Sequence, residues 1–217
     1  MKKLILSFIA LFIGAQMFAQ QDAQAKKILE KVSTTTKSDS TIKLKFLYIM
    51  DNRAEKVQDT TKGTIYIKGD MFKLFFKGNE IFSDGKTIWT HQFSANEMTI
   101  SEPEEGDEDA LNPTTLLTIY EKGFKYQFMG EFKNNSETFY QIDLYPENPN
   151  AKSYTMIKLK IDKANSRLTS VKMVGKDGID YLIELTQFKP NVKVADSMFT
   201  FDPKKYPKNI EINDMRD

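Results

Sequence analysis

The stretch Gly63 to Phe93, GTIYIKGDMFKLFFKGNEIFSDGKTIWTHQF, constrains the fold more than any other part of the chain. Ile65 and Ile67 alternate with Thr64, Tyr66 and Lys68, and Phe72, Leu74 and Phe76 alternate with Lys73, Phe75 and Lys77. A period of two places each set on one face of a sheet. Gly69-Asp70, Gly78-Asn79 and Asp84-Gly85 are residue types that accept the positive φ of tight hairpins. The stretch therefore predicts an antiparallel meander of short strands with a strongly apolar face. It is rich in aromatics and poor in catalytic side chains, which points to a surface that holds something apolar.

The rest of the chain extends this pattern. Asp22 to Ser33 predicts an amphipathic helix, with Ala25, Ile28, Leu29 and Val32 on one stripe and the Ser/Thr run from Ser33 ending it. Ile42 to Met50 reads as a strand with Ile42, Leu44, Phe46, Tyr48 and Met50 on one face, and Asp51 to Lys62 as a polar connection. Met98 to Ser101 gives one more short strand. Asn112-Pro113 opens a second helix carrying Leu116, Leu117, Ile119 and Tyr120, which Gly123 is placed to end. Further alternating segments run through Phe124–Phe128, Tyr140–Leu144, Ile157–Ile161, Leu168–Val174, Ile179–Phe188 and Phe199–Phe201, and the tail beyond Tyr206 is expected to fray. The sum is mainly β with α: about eleven strands in a large curved antiparallel sheet or open barrel, with two helices to cover its apolar side.

Composition narrows the functional classes. Met1 to Ala19, MKKLILSFIALFIGAQMFA, has the positive start, short apolar run and small residue of a secretory signal, leaving residues 20–217 as a single domain. Its removal takes two lysines and no acids, so the formal charge falls from +1 to about −1. A near-neutral surface argues against nucleic-acid binding. The chain has no cysteine, which excludes disulfides, thiolate metal sites, cysteine nucleophiles and lipid attachment at a cysteine after the signal. His91 is the only histidine, and no nucleophile-elbow, zincin or phosphate-loop motif occurs. The acidic run Glu102–Asp109 (EPEEGDED) lacks the ligand spacing of a calcium loop and reads as a solvated loop. No cofactor and no enzymatic activity are expected.

An ordered set of motifs resembles the LolA family, the periplasmic carriers of outer-membrane lipoproteins. Gly63-Thr64-Ile65-Tyr66-Ile67-Lys68, Phe72 and Ser83-Asp84-Gly85-Lys86-Thr87-Ile88-Trp89 are similar to its first strands and hairpin. Asn112-Pro113 with Leu116-Leu117, Tyr140 to Pro146, Ile157 to Ile161 and Phe199 to Pro203 follow in the family's order. The resemblance implies a half-barrel with helices as a lid over an apolar cavity. It implies acylated lipoproteins as cargo, an inner-membrane ABC transporter as donor, an outer-membrane acceptor, a periplasmic location and a monomeric carrier. Phe72, Leu74 and Phe76 match cavity-facing positions of the family. Ile65 and Ile67 join them by alternation, and Leu116, Leu117 and Tyr120 are expected to cover them from the mid-chain helix. The family's cavity-facing Arg falls at Gly69, and its P-x-x-Q at Lys77-Gly78-Asn79-Glu80, so the lid is expected to be held differently here. Competing readings are a module that senses lipids or lipoproteins, a carrier of another lipid, and an enzyme dependent on His91.

Overall fold

A computed structural model of the chain describes residues 23–103, 116–134 and 137–216. The expected signal segment, the acidic run from residue 104 onward and the expected start of the mid-chain helix at Asn112-Pro113 lie outside the described residues. A helix, α1, spans residues 23–37. The strands are β1 (Ile42–Asn52), β2 (Val57–Lys68), β3 (Met71–Phe76), β4 (Asn79–Ser83), β5 (Ile88–Gln92) and β6 (Glu97–Ser101). They continue as β7 (Phe124–Asn134), β8 (Glu137–Pro146), β9 (Tyr154–Asp162), β10 (Arg167–Gly175), β11 (Ile179–Pro190) and β12 (Glu211–Asp214). All belong to one open, curved sheet in the order β12-β6-β5-β4-β3-β2-β1-β11-β10-β9-β8-β7. Two antiparallel meanders meet where β1 pairs with β11.

Register shows why one face is apolar. Leu44, Ile65, Leu74 and Ile81 stand directly opposite one another across β1 to β4. In the other direction Tyr48, Ile183, Val171, Leu159, Ile142 and Phe128 form a second row across β1, β11, β10, β9, β8 and β7. These rows make the inner face. Ala25, Leu29 and Val32 of α1, spaced i, i+4 and i+7, are buried in the same apolar cluster. The outer face behind β8–β11 is charged instead: Lys158 Nζ donates to the buried Asp143 at 2.9 Å, and Lys172 pairs with the buried Asp180 at 2.9 Å.

A second, smaller core lies on the outer face of β4–β6. Phe82, Trp89 and Ile100 are opposite one another, and Phe82 stacks on Trp89 with ring centroids 5.5 Å apart. Met98 joins them, and the segment carrying Phe201, Tyr206 and Ile210 packs over the group.

Several expectations are corrected. The helix does not end at Ser33; it runs to residue 37, with the Thr34 and Thr35 hydroxyls donating to the carbonyls of Glu30 and Lys31 one turn back, both at 2.8 Å. Asp51 to Lys62 is not a connection: β1 and β2 form a hairpin that turns within Arg53–Lys56, where Lys56 takes φ 55°. The turn after β3 is Lys77-Gly78, both at positive φ, rather than Gly78-Asn79. The described part of the mid-chain helix is a 3-10 turn, Ile119–Glu121. Phe199 to Phe201 is not a strand; Phe199 is fully buried behind a 3-10 turn at Asp196–Met198. The tail forms β12, which pairs parallel with β6, the exception to antiparallel pairing among the described strands. The strands among the described residues number twelve.

Candidate inner-face site

The eight residues singled out in the sequence come together. Ile65, Ile67, Phe72, Leu74, Leu116, Leu117 and Tyr120 are all buried in the α1-covered cluster, and Phe76 packs at its margin. In this structure α1 fills the concave side, so these side chains meet apolar neighbours rather than an open hollow. Alternation in β2 and β3 aims Ile65, Ile67, Phe72, Leu74 and Phe76 inward; the 3-10 turn Ile119–Glu121 brings Tyr120 back onto the same face.

Sequence reading left out several neighbours of these residues. Phe46 lies 5.8 Å from Phe76, and Tyr48 meets Phe76 edge-on at 5.3 Å. Burial, followed by the neighbouring Tyr181, pushes the Tyr48 hydroxyl above its ordinary range. Lys77 Nζ stands 5.2 Å from the Tyr48 ring and 5.5 Å from the Phe76 ring, capping this aromatic end with a cation. Phe46 also explains the glycine that opens the resembling strand. Its ring lies over Gly63, where an added Cβ would come within 2.1 Å. The period of β1 pointed to Phe46 and Tyr48, since both share a face with Ile42 and Leu44.

The cover is pinned at one carboxylate. Ser33 Oγ donates to Glu121 Oε1 at 2.5 Å, and Lys37 Nζ stands 2.8 and 3.0 Å from the two Glu121 oxygens. Burial pushes this carboxyl up, but the hydrogen bonds from Lys37 and Ser33, with the charges of Lys37 and Lys122, outweigh it and hold the group below its ordinary value. No local sequence signal marks the contact, because its partners are 88 and 84 residues apart. Beside it, between α1 and the 3-10 turn, opens a cavity of about 540 Å³ bordered by Leu29, Ser33, Lys37, Tyr120, Glu121 and Tyr126. That is within the usual range for a small-molecule site, roughly 300–1,000 Å³.

Gly69 sits at φ 57° as the first residue of the β2–β3 turn. The adjoining Lys68 forms an ion pair with Asp196. Farther along, Asp39, just past α1, receives both Arg167 nitrogens at 2.6 and 3.3 Å and fixes the exit of the helix against β10.

His91 belongs to the other face. It is buried beside Tyr206 and Phe93, with ring centroids 5.1 and 4.6 Å away, and neither ring nitrogen has a partner among the described residues. The described residues contain no group of three or more His, Asp or Glu that could hold a metal ion.

Against this geometry stand the likenesses to known proteins. A family model described as outer membrane lipoprotein carrier protein LolA matches residues 15–209. The outer-membrane lipoprotein carrier protein of Pasteurella multocida is 25% identical over 218 residues, covering 97% of this chain and 95% of that protein. Among solved structures, an uncharacterized conserved protein from Thermus thermophilus superposes with a TM-score of 0.58 at 15% identity, over 88% of this chain and 99% of that one. A LolA superfamily protein from Nitrosomonas europaea gives a TM-score of 0.43 at 12% identity, over 82% of this chain and 97% of that one.

Proposed function

The chain belongs to the LolA family of outer membrane lipoprotein carrier proteins, and from that premise we propose that it takes up acyl chains of lipoproteins between α1 and the inner face. On this reading it works in the periplasm, receiving cargo from an inner-membrane ABC transporter and passing it to an outer-membrane acceptor.

The observation that supports the reading is the continuity of one apolar cluster from sheet to cover. Each methylene exposed to water costs about 0.8 kcal/mol, so a chain of about sixteen carbons is held in a membrane by roughly a dozen kcal/mol. A carrier must offer comparable apolar surface and still release its load. Here α1 supplies that surface to the sheet when cargo is absent: Ala25, Leu29 and Val32 sit where acyl methylenes would lie. Uptake then exchanges one apolar partner for another, with α1 swinging off Ile65, Ile67, Phe72 and Leu74. Exchange of this kind needs neither a cofactor nor bond cleavage. The Glu121 contact is exposed enough to break readily, since ion pairs in water are worth about 1 kcal/mol or less.

Phe72→Glu tests the site. A carboxylate beneath α1 resists burial, so lipoprotein pickup in a release assay from inner-membrane vesicles should be lost while export and circular dichroism are retained. Transfer at the unmodified rate with that charge in place removes Phe72 from the site.

A further inference from the structure

Tyr120 brings a hydroxyl into a mainly apolar cluster. The residue is 1% exposed, and its hydroxyl has no partner among the described residues. A buried hydroxyl without a partner carries a desolvation penalty that a hydrogen-bond acceptor removes. The ring is held in place from its own backbone. Tyr126 Oη donates to the Tyr120 carbonyl at 2.9 Å, and the Glu121 N–H closes the 3-10 turn on the Thr118 carbonyl at 2.9 Å. Tyr120 also borders the 540 Å³ cavity beside α1. The buried hydroxyl thus belongs to a residue at the boundary between the apolar cluster and a cavity bordered mainly by polar side chains.

Deepening the carriage reading, on which it rests, we infer that the Tyr120 hydroxyl is a recognition group for the carbonyl at the head of a bound acyl chain. The ligand class is then ester- or amide-linked acyl chains rather than bare alkyl chains. The chemistry selects a neutral acceptor. A phosphate or free carboxylate at this depth would need a cation; of the two lysines that border the cavity, Lys37 is engaged by Glu121 and Lys26 is exposed on α1. A carbonyl accepts one hydrogen bond without bringing a charge below the surface. The hydroxyl keeps its proton for this purpose, because burial, and then the neighbouring Glu121, push it far above its ordinary range. The carbonyl would set the depth of the chain, with methylenes running on beneath α1 and the polar linkage left at the cavity mouth.

The test compares dioctanoylglycerol with its dioctyl ether analogue, each displacing a fluorescent fatty-acyl probe from the full-length mature protein. The unmodified protein should bind the ester about five- to tenfold more tightly, the discrimination one hydrogen bond supplies. Tyr120→Phe should bind both lipids at the affinity of the ether and melt no lower than the unmodified protein. Equal binding of ester and ether by the unmodified protein overturns the inference without any variant. A preference that survives in Tyr120→Phe overturns it too, and both results leave carriage standing. Failure of the unmodified protein to bind either lipid sinks the carriage reading and this inference together.

Discussion

The sheet is covered twice, and the two covers are attached in different ways. On the inner face a helix lies over a broad cluster, and a side-chain contact to Glu121 pins it. On the outer face of β4–β6 a strap lies over a small cluster, and main chain fastens it. β12 runs in register with β6 from Glu211–Glu97 to Asp214–Ile100. The Glu211 N–H bonds the Asn96 carbonyl at 3.1 Å, and the Met215 N–H bonds the Ile100 carbonyl at 2.8 Å. Beneath the strap Tyr206 Oη donates to Glu80 Oε2 at 2.9 Å, and Lys73 reaches the other Glu80 oxygen at 2.6 Å. Burial, followed by Glu80, pushes the Tyr206 hydroxyl far up. A ladder of backbone bonds resists peeling more than the exposed side-chain contact at Glu121 does, although Asp39 and Arg167 also hold the exit of α1. The lesson is that equal apolarity under a cover does not mean equal permanence. The inner cover is held by side chains and the outer one by main chain.

Three measurements can break or sharpen that contrast. The largest effect is expected from Leu159→Ala, at the centre of the inner face and fully buried. It should lower stability by about 2–5 kcal/mol in urea unfolding. A loss well below that range would mean that α1 and the sheet are not one packed unit. Tyr206→Phe should cost about 1.5–3 kcal/mol, the worth of a hydrogen bond to a charged group. Hydrogen exchange should speed up first in β6 and β12, leaving α1 unchanged; faster exchange in α1 would show that the two covers are coupled. The smallest effect belongs to Glu121→Gln, at about 1 kcal/mol or less, accompanied by faster exchange of α1 amides. Because the folded Glu121 carboxyl lies below its ordinary value of 4.5, its contribution is complete above that pH and fades as pH falls through the folded value. The stability difference between Glu121→Gln and the unmodified protein should therefore be present at pH 7 and vanish in acid. A difference that persists at low pH would leave the cover held by something other than the carboxylate.

The contrast also explains what the sequence disclosed. Ile65, Ile67, Phe72 and Leu74 were legible because each alternates with a polar or exposed neighbour over several residues. The β1–β2 hairpin was hidden because Arg53-Ala54-Glu55-Lys56 has no glycine or proline to mark a turn. The first half of β2, Gln58 to Lys62, is polar on both faces and so shows no period. The outer core was hidden for the opposite reason. Phe82, Trp89, Met98 and Ile100 point one way while Ile81 and Ile88 point the other, so neither face of that region stands out. What decides the matter is a cover from Phe201 to Ile210, distant in sequence. The Glu121 contact and the parallel β12 have the same character: they join segments whose local composition looks like any solvated surface.

The parallel strand at the edge has a kinetic consequence. Asn96 and Asn209, bridged at the start of this pairing, are 113 residues apart. A contact that closes so long a loop forms late, after hairpins such as β3–β4 are in place. Through that interval β6 offers an unpaired rim beside bare Phe82, Trp89 and Ile100, the combination that recruits strands from other molecules. Refolding yield should then depend on protein concentration up to the moment the strap docks, and no longer afterwards.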